Sequence, residues 1–329
     1  MQVVAVERKT PVLTPSRLAC LARIPTVNLT AGCAHGCLYC YARGYPSYPG
    51  EGRVRVYADT AARLRAELAR KRKLPAAVYF SPSSDLFQPV PRVLEMAEEI
   101  LSLLFERGIG AAILTKGEIP ERHMRLMEAH APLVRAQVGL NTLDDCVARL
   151  FEPGAPPPAA RLAQVRRLAA AGIETQVRLD PILPGLTDTA ESLEPLCAAL
   201  AAAGVKEIAA SMLFLRGAVA RSLSRLGDVA ARDALLARFA AREHLRIRAE
   251  NSTVYALPAA DRRRTYALVS EIAARHGLAV HVCGCKNPDL GGDACGIAGA
   301  WMEKRCQEPL LWGKGGGAAA VTAPEGGNR

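Results

Sequence analysis

The sequence predicts an α/β protein built on an open, partial (β/α)6 barrel with a cysteine-rich C-terminal extension. Three observations carry that expectation. Short β-rich runs alternate with longer helical stretches; six such units can be counted, too few for the usual closed eight-stranded barrel; and every unusual loop leaves the end of a β-rich run. Alternation implies parallel strands, because parallel neighbours need a crossover connection, and right-handed crossovers coat a sheet with helices.

Taken in order, "TVNLT" at 26–30 is the first strand and feeds a cysteine-rich loop, and a helix follows at about 58–72. "AAVYF" at 76–80 is the second strand, and "VLEMAEEILSLLFERG" is an amphipathic helix closed by Gly108. "AAILT", "VRAQVGL", "IETQVRL" and "KEIAASMLFL" supply the remaining four strands. They are separated by the helical "ERHMRLMEAH", "PAARLAQVRRLAAAG", which ends at Gly172, and "ESLEPLCAALAAAG". Two more helical segments, 228–242 and 261–276, precede a strand-like "LAVHV" that runs into Cys283. These features divide the chain into an N-terminal segment (1–22), the partial barrel (23–225), a helical and cysteine-rich extension (226–312) and a tail (313–329). The tail is low in large apolar residues and is expected to be disordered.

The 329 residues are enough for a substantial core, and no stretch approaches the roughly 20 apolar residues of a membrane span. The start, "MQVVAVERKTPVL", is too mixed for a secretory signal, so a cytoplasmic protein with no membrane partner is expected. A formal charge of +10, from 42 Lys and Arg against 32 Asp and Glu, favours anionic partners. The Ala- and Arg-rich composition explains part of that excess, and 5% aromatic residues argue against a surface of base-stacking platforms. Ten cysteines in a chain of this size without a signal point to metal or redox chemistry rather than a disulfide framework. Cys20, Cys146 and Cys197 are scattered, and Cys197 reads as a small buried hydrophobe on a helix.

The loop "NLTAGCAHGCLYCYARGY" sets Cys33, Cys37 and Cys40 in a Cys-x3-Cys-x2-Cys spacing. Three thiolates can take three corners of a [4Fe-4S] cubane and leave the fourth iron open to an exogenous ligand. A zinc site wants four ligands. His35 could be the fourth, although it sits between two of the cysteines, where simultaneous chelation is strained.

This spacing, with Tyr39 just before the last cysteine and a strand ahead of the loop, resembles the radical S-adenosylmethionine superfamily. Residues 26–215 are similar to its spore photoproduct lyase-like ("DNA repair photolyase") branch, on the strength of "GCAHGCLYCYAR", "SSDLFQPVP", "ILTKG", "LNTLDD", "FEPGAPPPAARLAQVRRLAAAGI" and "DPILPGLTD". The resemblance implies a barrel of the radical SAM type. It implies S-adenosylmethionine bound to the open iron, an electron donor such as flavodoxin or ferredoxin, and reductive cleavage to a 5'-deoxyadenosyl radical that takes hydrogen from a substrate. It assigns Cys33, Cys37 and Cys40 to the cluster and Tyr39 to the adenine. Ser84 and Asp85 fall to the methionyl ammonium, Lys116 to the carboxylate, Asn141 to the ribose or carboxylate, and Tyr41 to a catalytic relay. Asp85 also has a plainer reading as a turn cap, Lys116 as a solvated surface lysine, and the tyrosines as packing. The chain departs from the branch at Pro82, where spore photoproduct lyase proper carries a hydrogen-donating cysteine; proline has no such hydrogen.

Cys283, Cys285, Cys295 and Cys306 form a second group among glycines, suited to an auxiliary [4Fe-4S] cluster, with zinc as the alternative. The expected activity is therefore that of a radical SAM enzyme, oxidoreductase or lyase, on a small-molecule, peptide or nucleic-acid substrate. Two alternatives stay open: a nucleic-acid lesion repair or modification enzyme, and a non-catalytic metal-stabilised binding protein.

Overall fold

The computed structural model describes residues 1–16, 21, 24–247, 252–291 and 296. Cys20, Cys295, Cys306 and the tail 313–329 lie outside the described residues.

In chain order the elements are β1 (Gln2–Val6), β2 (Thr26–Val27), β3 (Thr30–Ala31), β4 (Arg53–Tyr57), α1 (Thr60–Ala69), β5 (Ala77–Phe80), α2 (Pro91–Phe105), β6 (Gly110–Thr115) and α3 (Glu121–Ala129). Next come β7 (Val134–Gly139), α4 (Asp145–Phe151), α5 (Pro158–Ala170), β8 (Glu174–Ile182), α6 (Ala190–Ala202) and β9 (Glu207–Met212). The chain continues with α7 (Gly217–Leu223), α8 (Val229–Ala237), β10 (Glu243–Ile247), β11 (Ser252–Ala256), α9 (Ala259–Arg275) and β12 (Ala279–Val282).

Seven strands form one parallel sheet in the order β12-β9-β8-β7-β6-β5-β2, and the helical crossovers cover its outer face. Six are the strands expected of a partial barrel. The seventh, β12, pairs parallel with β9 and comes from the part of the sequence assigned to the C-terminal extension. The strands alternate by face as their pleat requires. Outward residues such as Val138, Val177 and Ile208 join the main apolar core under the helices. The inward faces of β5, β6 and β9 carry Ala77, Tyr79, Ala112 and Ala209, which form a separate small cluster. Register pairs Gln137 on β7 with Gln176 on β8, and next to them Gly139 with Arg178, so the interior of the open barrel is partly polar.

α2 illustrates how the outer layer is made. Pro91 occupies its first turn, where a missing N–H costs nothing, and Val93, Met96, Ala97, Ile100, Leu101 and Leu104 make one buried face at helical spacing.

Two small sheets frame the mouth. β4 pairs parallel with β1 and antiparallel with β3, so the strand immediately before the first cysteine loop is anchored at its entry. β10 and β11 form an antiparallel hairpin whose Leu245, Ile247, Val254 and Ala256 pack together against Phe214. Neither was anticipated from sequence.

Candidate functional site

At the C-terminal ends of the strands lies a cavity of about 250 Å3. Cys33, Cys37 and Cys40 line it, together with Tyr39, Tyr41, Ser84, Asp85 and Lys116, and so do Cys283 and Cys285. Residues more than a hundred positions apart in sequence converge here because loops that leave parallel strands all open on one end of the sheet.

The first cysteine loop is gripped from four sides. Ala34 N donates to Gln88 Oε1 at 3.0 Å, and Gln88, fully buried, also donates to Thr30 Oγ1 at 2.9 Å. Leu38 N donates to Phe151 O at 2.9 Å and Gly154 N to His35 O at 2.9 Å, so the turn after α4 runs along the loop like a backing strand. Arg43 folds back over the loop, with Nε on Cys37 O at 2.9 Å and Nη2 on Gly36 O at 2.8 Å. Gly32 has φ +81, and a Cβ there would lie 2.5 Å from Arg53 O, so this position admits only glycine.

Asp85 is the buried tie among these loops. Its carboxylate accepts from Phe87 N (2.9 Å), Thr115 Oγ1 (2.6 Å) and Lys116 N (2.7 Å), and its Oδ2 lies 3.3 Å from His35 Nε2. His35 Nδ1 donates to Gly154 O at 3.0 Å. Burial alone would raise the Asp85 carboxyl, but His35 and the hydrogen bonds from Thr115 and Lys116 N hold it below the usual carboxylate range. Burial works against a charged His35 as well, yet Asp85 and the Gly154 carbonyl outweigh it and raise that imidazole. Both ring nitrogens of His35 thus have partners other than the thiols.

The remaining expected residues are placed as follows. Tyr39 is buried and its hydroxyl donates to Glu152 Oε1. Lys116 Nζ stands 5.6 Å from the centre of the Tyr39 ring. The lysine stem passes over Gly139, where a Cβ would approach both Cγ and Nζ to 2.9 Å. Ser84 Oγ is buried without a hydrogen-bond partner among the described residues. The Tyr41 hydroxyl donates to Pro82 O, and its ring meets Tyr45 edge-on at 5.7 Å. Asn141 stands behind the wall: its Nδ2 donates to Pro181 O at 2.8 Å, and Pro181 is the residue that faces the cavity.

Burial pushes all three loop thiols above their ordinary pKa, Cys37 to about 12, with Glu152 adding to the effect at Cys37 and Asp85 at Cys33. Lys116 acts against that rise at Cys37 and Cys40, and Arg43 at Cys40, but burial outweighs them; three such thiols suit a cationic iron-sulfur core, which requires them as thiolates. The Ser84 hydroxyl, without a partner among the described residues, and the Lys116 ammonium in the same cavity suit a polar ligand beside it. The residues present therefore fit a cluster and a zwitterionic cofactor. Among the described residues no group of three His, Cys, Asp or Glu side chains closes on a single metal ion; a cubane holds its thiolates farther apart than one ion does.

Several site residues escaped the sequence reading. Glu152 holds Tyr39 and forms a buried ion pair with Arg161 at 2.5 Å, while Arg161 also donates to Gly139 O and Pro156 O at 2.9 Å each. An acid in a proline-rich loop with an arginine nine residues on is all the sequence shows of this pair, and the burial of neither can be read from it. Ser81 lines the cavity at φ 52, a conformation uncommon for a residue with a side chain. Asp180 lines it too, accepting from Arg178 at 2.8 Å and from Lys286 at 2.6 Å.

The family model described as Radical SAM superfamily matches residues 27–199. An uncharacterized protein of Mycobacterium tuberculosis is 35% identical over 201 residues, which span 58% of this chain and 59% of that protein. A radical SAM Nalpha-GlyT isomerase of Pseudomonas phage M6 is 29% identical over 173 residues, 52% of this chain and 35% of the phage protein. Among solved structures, spore photoproduct lyase complexed with dinucleoside spore photoproduct superposes with a TM-score of 0.62 at 16% identity, covering 84% of this chain and 81% of the lyase. A mutant of the same lyase gives 0.64 at 17%. The structural likeness establishes the fold.

Proposed function

Since the chain belongs to the radical SAM superfamily, we propose that it is an enzyme that holds a [4Fe-4S] cluster on Cys33, Cys37 and Cys40 and S-adenosylmethionine beside it, and abstracts hydrogen from a substrate in the cavity. The observation that carries this reading is the convergence of three thiols from one loop on a cavity that also presents the Ser84 hydroxyl, unpartnered among the described residues, and the Lys116 ammonium. When bound, the cluster and cofactor supply an electron and a cleavable sulfonium bond, and so a 5'-deoxyadenosyl radical.

The chain's own residues supply position and shelter. Lys116 offers a charge-assisted hydrogen bond to a carboxylate, and Gly139 gives its stem room. Tyr39, fixed by Glu152, presents a ring face to a planar base. Tyr41 walls the chamber next to Pro82. The buried walls keep water from reactive species. Asp85 acts through the loops it ties, since its oxygens already accept from the protein. An auxiliary iron-sulfur centre draws on Cys283 and Cys285; Cys295 and Cys306 were assigned to it from sequence. A flavodoxin- or ferredoxin-type donor and a cytoplasmic setting accompany this reading. No helix among the described residues is long and apolar enough to cross a membrane. Anaerobic reconstitution with iron and sulfide, reduction, and an assay for 5'-deoxyadenosine test it: the nucleoside forms if the reading holds, and its absence from a fully loaded protein leaves the non-catalytic alternative.

A nucleic-acid substrate is the second reading. Arg221, Arg225, Arg238, Arg242 and Arg246 are exposed on the segment from α7 to β10, while Arg216 and Ile247 of that same segment line the cavity. Such a rim suits a phosphate backbone whose base enters the chamber. Binding of an oligonucleotide that weakens steeply with salt would support it, whereas no binding at low salt removes it.

A further inference from the structure

The cysteine pair at the end of β12 lies within the barrel rather than on an appendage. Cys283 N donates to Ala210 O at 3.2 Å, continuing the β12–β9 ladder by one residue. This extension carries the Cys283 side chain in among Tyr79, Ala77, Ala112 and Ala209, the inward residues of three strands, with Cys285 packed against the same cluster. Cys283 and Cys285 therefore line the very cavity that Cys33, Cys37 and Cys40 line.

The turn that presents these thiols is built with unusual investment. Cys283 O receives three N–H groups: Lys286 N at 3.2 Å, Asn287 N at 3.0 Å and Asn287 Nδ2 at 3.0 Å. Asn287 is fully buried, and its Oδ1 takes Arg262 Nη1 at 3.0 Å and the Tyr266 hydroxyl at 3.3 Å. Arg262, also fully buried, reaches on to Asp289 at 3.1 and 2.5 Å. Tyr266 accepts Met212 N at 2.8 Å, and Lys286 reaches Asp180 at 2.6 Å, so the turn is bolted to the ends of both β9 and β8. A cysteine that only fills space needs no such frame, because packing a thiol requires shape alone. A frame of buried charge and amide groups is instead what orients ligands at a metal centre. Gly284 separates the two thiols in sequence, and sulfur donors select iron-sulfur centres and other soft metals.

We propose that Cys283 and Cys285 ligate a second iron-sulfur centre inside the same chamber as the first, so that one bound substrate touches both centres. This rests on the reading of the first loop as a cluster site and adds the location of the second. The consequence is spatial: the second centre is a wall of the substrate site and not a distant relay. It limits the substrate to a reacting group small enough to stand between two clusters.

The test uses the full chain, reconstituted anaerobically with iron and sulfide and reduced with dithionite. Iron content falls from about eight per chain to about four in Cys285→Ser and in Cys283→Ser, and to about four of the other kind in Cys37→Ser. Thermal melts of the metal-free variants that match the parent show that the losses are not unfolding. The electron paramagnetic resonance spectrum of the doubly reduced parent is broadened and fast-relaxing compared with the sum of the single-centre variants, because the two spins share one chamber. Full iron retention in both Cys283→Ser and Cys285→Ser, zinc in place of the second four irons, or a parent spectrum equal to the sum of the variants overturns the proposal while leaving the first cluster intact. An iron-free parent, by contrast, removes the reading of the first loop.

Discussion

At Glu152 a single carboxylate does two jobs, holding the hydroxyl of Tyr39 and neutralising Arg161 in a pair that is almost completely enclosed. Glu152→Ala strands a buried guanidinium and is expected to cost about 3–5 kcal/mol, seen as a large fall in the denaturant midpoint. Glu152→Gln keeps an acceptor for Tyr39 and costs less, so the two variants separate ring positioning from charge. Cofactor affinity that tracks the melting temperature in both would mean that Glu152 has no part in positioning the ring. The cysteines give a sharper expectation. Cys37→Ala should abolish the visible absorbance of the first cluster and all formation of 5'-deoxyadenosine, and turnover that survives it rules the loop out as the cluster site. Lys116→Ala removes one charge-assisted contact, worth about 1.5–3 kcal/mol, or roughly ten- to a hundred-fold in S-adenosylmethionine affinity by calorimetry.

Among the elements, the turn after α4 matters most to the site. It supplies Phe151 O and both polar groups of Gly154 to the cysteine loop, and Gly154 touches that loop so closely that a Cβ would lie 2.4 Å from Ala34 O. Gly154→Ala must push the loop or the turn aside; a cost of about 1–3 kcal/mol is expected, with lower iron occupancy after reconstitution. Occupancy equal to the parent's would show that the turn does not set the loop. The strands and helices that carry these loops were legible because their apolar periods are strong: α2 and the run "AAVYF" announce themselves locally. The small sheet of β1, β4 and β3 was not, because β1 pairs with a strand about fifty residues away and its Gln2–Val6 run is mostly exposed, leaving no clean alternation. The β10–β11 hairpin fell in the gap between two expected helices. Of the site, the three thiols and the loop ends could be read from spacing. The partners of Asp85 and Glu152 could not, since which donor meets a buried carboxylate is decided by the packing of three or four distant segments.

For the molecule as a whole, the question is what holds the C-terminal turn against the barrel, and Asp180 is central to it. Its carboxylate, at the end of β8, joins Arg178 of its own strand to Lys286 of the turn, at 2.8 and 2.6 Å. Burial by itself would raise this carboxyl, but Lys286 and Arg178 more than reverse that and set it well below the ordinary aspartate range. A depressed carboxyl stabilises the folded chain at any pH above its unfolded value of about 4, and the contribution drains away as pH falls from there toward the folded value. Asp180→Asn leaves two cations without their shared partner and should cost roughly 2–3 kcal/mol at pH 7. The gap between parent and variant should hold steady from pH 7 to about 5 and narrow below about 4, as the carboxyl of the parent's unfolded chain takes up its proton while the folded one stays ionised. Denaturant midpoints of the metal-free chain across that range give the comparison without interference from iron. A gap that stays constant down to pH 3 would mean that the Asp180 charge is not what fastens the turn, and that the Arg262 frame alone keeps Cys283 and Cys285 in the chamber.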